Sequence, residues 1–190
     1  MKNKRDNEQL NIQDFPEKLR VKDIEKTQIP DLCDLLRAEI LKQTSIHGGH
    51  LSSNLGTVEL TVALHRVFDF PNDKLIFDVG HQSYTHKILT GRSLESLNEI
   101  GGISGFQKRS ESIYDCYDAG HSSTALSAAS AFAYARRKNN DNFEMIAVVG
   151  DASIINGLSF EALNYIGGQG EKIIIILNDN GMSISPSVGG

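Results

Sequence analysis

The chain has 190 residues, enough for one domain and marginal for two. Nineteen Lys and Arg stand against 24 Asp and Glu, a net charge of −5, with 39% hydrophobic and 23% charged residues. That balance excludes wholesale disorder, and without a basic segment it argues against an electrostatic nucleic-acid binder. Apolar runs such as Ile173–Leu177 are far too short to span a bilayer, so neither a membrane nor a nucleic acid is expected as a partner. The N-terminus has no signal-peptide core. Two cysteines, Cys33 and Cys116, are too few for a disulfide framework, so a reduced cytoplasmic setting is expected.

Residues 1–28 read as a polar, solvated leader with a short helix near Ile24–Thr27. Its first 26 residues carry seven positive and six negative charges, a near balance unlike that of a basic targeting peptide. Residues 29–190 read as one domain. Pro30 and Asp31 suit a helix start, and Leu32, Leu35, Leu36, Ile40 and Leu41 follow helical spacing, which predicts a helix over 31–44. Gly48-Gly49-His50 breaks it, and a second helix is expected over 57–68. After the turn at Pro71-Asn72-Asp73, residues 74–79 read as a buried strand. Short helices are expected at 83–89 and 94–99, then an irregular stretch over 101–116. Residues 122–138 form a long Ala/Ser-rich helix, 144–149 a second strand, 157–167 a helix and 172–177 a third strand. Uniformly apolar strands alternating with helices predict an α/β fold whose parallel sheet is flanked by helices.

Ligands bind beyond the carboxyl ends of such strands. Those ends carry Asp78-Val79-Gly80-His81, Gly150-Asp151-Ala152-Ser153 and Asn178-Asp179-Asn180-Gly181. A carboxylate at Asp151, an amide at Asn180 and a backbone carbonyl near Met182 can hold a hard divalent cation such as Mg²⁺, which shares its shell with phosphate oxygens and water. The plainer alternative makes Asp151 a helix cap and 178–181 a simple turn. Gly120-His121-Ser122-Ser123 precedes the long helix, where backbone N–H groups suit a phosphate; ordinary serine capping is the alternative. His50, His81 and His121 each adjoin a glycine at an element end, where imidazole can move protons or donate to phosphate. His65 lies in a helical pattern and reads as structural. Without an HExxH or a cysteine pair at finger spacing, zinc is disfavoured.

The stretches Gly49-His50, Asn54 through His65, Asp78 through Tyr84, His86 through Arg92, Gly120 through Thr124, Phe160 through Asn164 and Ile176 through Ser185 together resemble the 1-deoxy-D-xylulose-5-phosphate synthase family, from about Ile24 to the last residue. The broader transketolase superfamily shares only parts of the set. The resemblance implies a transketolase-type, thiamine-diphosphate-binding fold. It also implies an enzyme that condenses pyruvate with D-glyceraldehyde 3-phosphate, releasing CO₂, for isoprenoid, thiamine and pyridoxal pathways. By carry-over, Asp151, Asn180 and the Met182 carbonyl hold Mg²⁺. His81, Gly120, His121, Ser122, Ala152, Ser153 and Asn180 meet thiamine diphosphate, and His50 and His81 face the reacting carbons.

Two departures stand out. The family's Gly-Asp-Gly reads Gly150-Asp151-Ala152 here. A Cβ at the third position costs about 1 kcal/mol or more if φ is positive or the backbone must touch the diphosphate, so weakened binding is expected. Family chains are also much longer, so the domain reads as incomplete at its C-terminal end and inactive alone. Its expected partner is a second copy in a homodimer or a chain supplying the pyrimidine-binding domain. A subunit of a split transketolase-type enzyme and a non-catalytic, partner-binding remnant stay open as alternatives.

Overall fold

The computed structural model describes residues Leu10–Asp179. Three 3₁₀ turns, Ile12–Asp14, Val21–Asp23 and Lys26–Gln28, lead into helices α1 (Ile29–His47), α2 (Leu51–Leu55) and α3 (Val58–Val67). Strand β1 (Lys74–Phe77) and helix α4 (Tyr84–Leu89) come next. After a long irregular stretch come α5 (Ala125–Asn139), β2 (Met145–Gly150), α6 (Asp151–Ile154), α7 (Gly157–Gln169) and β3 (Ile174–Asn178). The described chain forms two compact units. One takes residues up to Asp69 together with Gln82–Gly105; the other takes Phe70–His81 and everything from Phe106 onward.

The first unit is helical. Leu32, Leu36 and Ile40, four residues apart on α1, pack with Val58 and Val62 of α3 and with Tyr84, Leu94 and Leu97. The stretch expected as a solvated leader is corrected here over residues 10–28. Phe15, Val21 and Ile24 are buried in this same core, and Arg66 donates to the carbonyls of Val21 and Ile24 at 3.2 and 2.8 Å. A few apolar anchors seat an otherwise charged segment, and composition averaged over the segment hides them. The helix expected over 94–99 is also absent. Leu94 and Leu97 mimic helical spacing, but Asn98 takes φ +61° and Gly101 φ +78°, and Asn98 N–H turns to the Ile103 carbonyl.

Within this unit His65 Nε2 meets His86 Nδ1 at 2.9 Å. Burial, reinforced by His86 and the Arg92 cation, holds His65 well below its ordinary value. The folded state therefore keeps His65 neutral where an unfolded histidine is protonated. Below pH 6.5 unfolding takes up a proton, and stability falls as pH drops. One such group contributes at most about 1.4 kcal/mol per pH unit. Denaturant titrations between pH 7 and pH 5 are expected to show a shallower pH slope for His65→Gln than for the unaltered chain. Equal slopes would contradict this assignment.

The second unit holds a three-stranded parallel sheet in the order β1-β2-β3, with Ile76 opposite Ala147 and Gly150 opposite Asn178. The period of two sends Ile76, Met145, Ala147 and Val149 into a core with Ala125, Leu126 and Ala129 of α5 and Ala162 and Ile166 of α7. Alanines on α5 let the helix lie close to the sheet. Leu75, Phe77, Ile146 and Val148 face the other way and are equally buried, as the unbroken apolar runs predict; β3 is only half-buried. The open edge of β1 is closed by a side chain. Buried Gln107 accepts from Phe77 N–H at 2.8 Å and donates to the Leu75 carbonyl at 3.1 Å, taking the place of a neighbouring strand. Cys116 lies half-buried against the same edge, and burial pushes its thiol up to about 11, which marks it as structural rather than reactive.

Candidate functional site

The register aligns the carboxyl ends of the strands. Asp78 N–H continues the ladder to the Val148 carbonyl at 2.8 Å, so the tip after β1 lies beside Val149, and Gly150 lies beside Asn178. The Asp78–His81, Gly150–Ser153 and Asn178-Asp179 segments thus share one end of the sheet. Asn180 and Met182, expected as metal ligands, lie outside the described residues.

The backbone at this end is unusual. Val79 takes φ +65° although it is β-branched, Gly80 follows at +87°, and Ser123 takes +71°. Such conformations cost about 1–3 kcal/mol each for non-glycine residues and persist only where the surroundings fix them. Here those surroundings are visible. Ser123 N–H donates to Asp78 Oδ1 at 2.7 Å, and Ser123 Oγ donates to the Ser153 carbonyl at 3.0 Å. The Ser159 hydroxyl, at the start of α7, donates to the same carbonyl at 2.7 Å. The loop before α5, the β1 tip and the β2 tip are therefore tied together. Burial pushes the Asp78 carboxyl above its ordinary value, opposed by the amides of Ser123, Ala125 and Val79 and by the Ser153 hydroxyl.

The capping part of both alternatives is not seen, and the turn expected at 178–181 extends beyond the described residues. Gly150, not Asp151, caps α6; Asp151 is its first helical residue, and the cap makes no side-chain hydrogen bond. The cap of α5 is Thr124, again without a capping bond, so neither Ser122 nor Ser123 serves there. Asp151 is half-buried at the β2 tip. His121 is exposed, with Nδ1 2.9 Å from the Ser122 carbonyl, and Ser122 is half-buried. At Gly120 and at Gly150 an added Cβ would meet nothing within 4 Å, so open space adjoins the backbone of both loops.

Ala152 lies inside α6 and is absent from the positive-φ positions. The strain expected from its Cβ therefore does not arise, and its exposed methyl costs the fold nothing. His81 follows Gly80 on the β1 tip and is half-buried.

His50 belongs to the first unit. It is exposed at the start of α2, where its N–H reaches Tyr84 Oη at 3.3 Å. Asn54 locks the turn by donating to the His50 carbonyl at 2.7 Å and accepting from Tyr84 N–H at 2.9 Å. Gly49, at φ +131°, leaves room only for itself, because a Cβ would stand 2.7 Å from Tyr84 Oη. Sequence reasoning places Asp78 at a strand end and Ser123 in the loop before α5 but does not join the two, and it misses Ser159. The acid at the end of an apolar run was the one available signal for Asp78.

Comparison with known proteins gives matches over nearly the whole chain. The family model described as 1-deoxy-D-xylulose-5-phosphate synthase matches residues 12–190. The chain is 51% identical over 177 residues to the 1-deoxy-D-xylulose-5-phosphate synthase of Syntrophus aciditrophicus, covering 92% of this chain and 27% of that protein. It is 51% identical over 181 residues to that of Alkaliphilus oremlandii, covering 94% and 28%. To the protein named 1-deoxy-D-xylulose-5-phosphate synthase 1 of Geobacter sulfurreducens it is 52% identical over 171 residues, covering 89% and 27%. The chain thus spans about a quarter of the length of these curated relatives. With a family match across nearly the whole sequence and half of all aligned residues identical, the chain belongs to the 1-deoxy-D-xylulose-5-phosphate synthase family, of which it represents the N-terminal region.

Proposed function

We propose that this chain supplies the diphosphate- and Mg²⁺-binding half of a thiamine-diphosphate-dependent transferase. That enzyme condenses pyruvate with D-glyceraldehyde 3-phosphate to give 1-deoxy-D-xylulose 5-phosphate and CO₂. The observation that carries this reading is the β2 tip, where Asp151 is half-buried, is not the cap of α6 and adjoins the open Gly150 backbone. The donor set suits the group: a carboxylate for a hard cation, with hydroxyls, imidazole and backbone N–H groups for phosphate oxygens.

In this reading Asp151, with Asn180 and the Met182 carbonyl, holds Mg²⁺. His81, Gly120, His121, Ser122, Ala152, Ser153 and Asn180 hold thiamine diphosphate. When bound, the cofactor supplies the carbanion stabilisation that lets pyruvate lose CO₂. The imidazoles of His50 and His81 would bind substrate oxygens and move protons at their ring nitrogens. Because the chain covers about a quarter of its relatives' length, turnover requires further polypeptide, from a homodimer partner or a chain carrying the pyrimidine-binding domain. A cytoplasmic setting fits; among the described residues no helix is long and apolar enough to cross a membrane.

The test is release of labelled CO₂ from pyruvate in the presence of D-glyceraldehyde 3-phosphate, thiamine diphosphate and Mg²⁺. The chain alone is expected to give none. Adding a polypeptide that matches the remaining part of the relatives is expected to restore release. No release from a mixture in which both chains are folded and associated would contradict the proposal.

A further inference from the structure

We infer that Asp78 is a positioning residue, whose buried carboxylate holds the Gly120–Ser123 loop in its ligand-binding shape through the Ser123 amide. This rests on the thiamine diphosphate reading above and extends it to a residue that does not touch the ligand. Asp78 is 3% exposed, and the oxygen that bonds is directed to Ser123 N–H at 2.7 Å. The amides of Ala125 and Val79 and the Ser153 hydroxyl also favour the carboxylate, so the group faces donors and not acceptors. A negative charge beside an anionic ligand would repel it if the two met. Buried behind the loop, the same charge acts through the Ser123 amide and fixes the loop's course.

Within the loop the bonds are local, such as Thr124 Oγ1 to the His121 carbonyl at 3.0 Å. Ser123 is fully buried at φ +71°, a conformation a serine does not hold unaided. Two ties fix it: the amide to Asp78, and the hydroxyl to the Ser153 carbonyl, which Ser159 also engages. One tie comes from the β1 tip and the other from the β2 tip. The spacing between Gly120-His121-Ser122 and Asp151 is therefore set by Asp78 and Ser153 acting on one residue. Relaxing Ser123 would let the phosphate-facing amides drift from the cation-binding carboxylate.

The test compares the unaltered chain with Asp78→Asn, which keeps the shape but turns an NH₂ toward amides that expect an acceptor. Calorimetry gives the affinity for thiamine diphosphate with Mg²⁺, thermal unfolding gives stability, and hydrogen exchange follows the Ser123 amide. Affinity is expected to fall about 10- to 100-fold, the range for residues that orient direct ligands. Exchange at Ser123 is expected to accelerate without ligand present. Ile166→Val, in the same core but remote from the loop, is expected to lower the melting temperature and leave affinity unchanged. If Asp78→Asn fails to fold, Asp78→Ser carries the test. Its shorter, uncharged side chain fits the buried site and takes the carboxylate away from Ser123 N–H, so affinity is expected to fall at least about tenfold. Wild-type affinity in the variant that folds would overturn the inference alone. So would an equal affinity loss in Ile166→Val, which would make the effect one of general stability. No binding by the unaltered chain would overturn the cofactor reading, and this inference with it.

Discussion

Gly80→Ala is expected to destabilise the second unit by about 2–5 kcal/mol. Two independent costs add. At φ +87° an L-residue carries about 1–2 kcal/mol of backbone strain. A Cβ there would also stand 2.6 Å from Ala119 Cβ and 3.1 Å from the Gln107 nitrogen. Overpacking of that kind costs about 1–3 kcal/mol. Gln107 cannot move aside cheaply, because its side chain closes the β1 edge and its carbonyl accepts from Ala119 N–H at 3.1 Å. For a chain of this size the melting temperature should fall by roughly 5–15 °C. Gly120→Ala serves as the comparison: nothing lies within 4 Å of its added Cβ, and the expected change is within about 0.5 kcal/mol. Equal melting temperatures for the two variants would mean that the tight approach at the β1 tip does not exist.

The second large effect is at Asp151. Asp151→Ala is expected to weaken Mg²⁺-dependent binding of thiamine diphosphate on the order of 100-fold, or about 2.7 kcal/mol. Mg²⁺ in such sites depends on one or two protein carboxylates, and among the described residues of this sheet end Asp151 is the partly exposed acid at the β2 tip. Stability should hardly change, because the cap of α6 is Gly150 and not Asp151. A residue whose loss removes binding and leaves the fold intact is a ligand. If the melting temperature falls and binding persists, Asp151 is a structural helix-start acid instead.

The sheet was legible because strands buried on both faces are unbroken apolar runs. Three such runs end in glycine and a polar group, which marks that end of the sheet as the candidate ligand-facing end. Asp151 is singled out by this pattern, and Gly120 and Ser122 by the glycine that precedes the long helix. What stayed hidden depends on contacts distant in sequence or on single anchors. Asp78 and Ser123 are 45 positions apart, and no local pattern joins them. Phe15, Val21 and Ile24 are scattered among charges, so residues 10–28 read as solvated although three side chains enter a core. The turns around Asn98 imitate a helix because Leu94 and Leu97 fall three apart for another reason: both enter the first unit's core. The concern over Ala152 came from a family glycine, and the position's helical conformation removes the backbone part of it.

The most direct test of the central claim is a calorimetric titration of the 190-residue chain with thiamine diphosphate, in the presence and absence of Mg²⁺. The predicted result is saturable binding at one site per chain that disappears without the cation. Folded protein that binds nothing, or binds equally well without Mg²⁺, would contradict the assignment of this sheet end as a diphosphate and metal site.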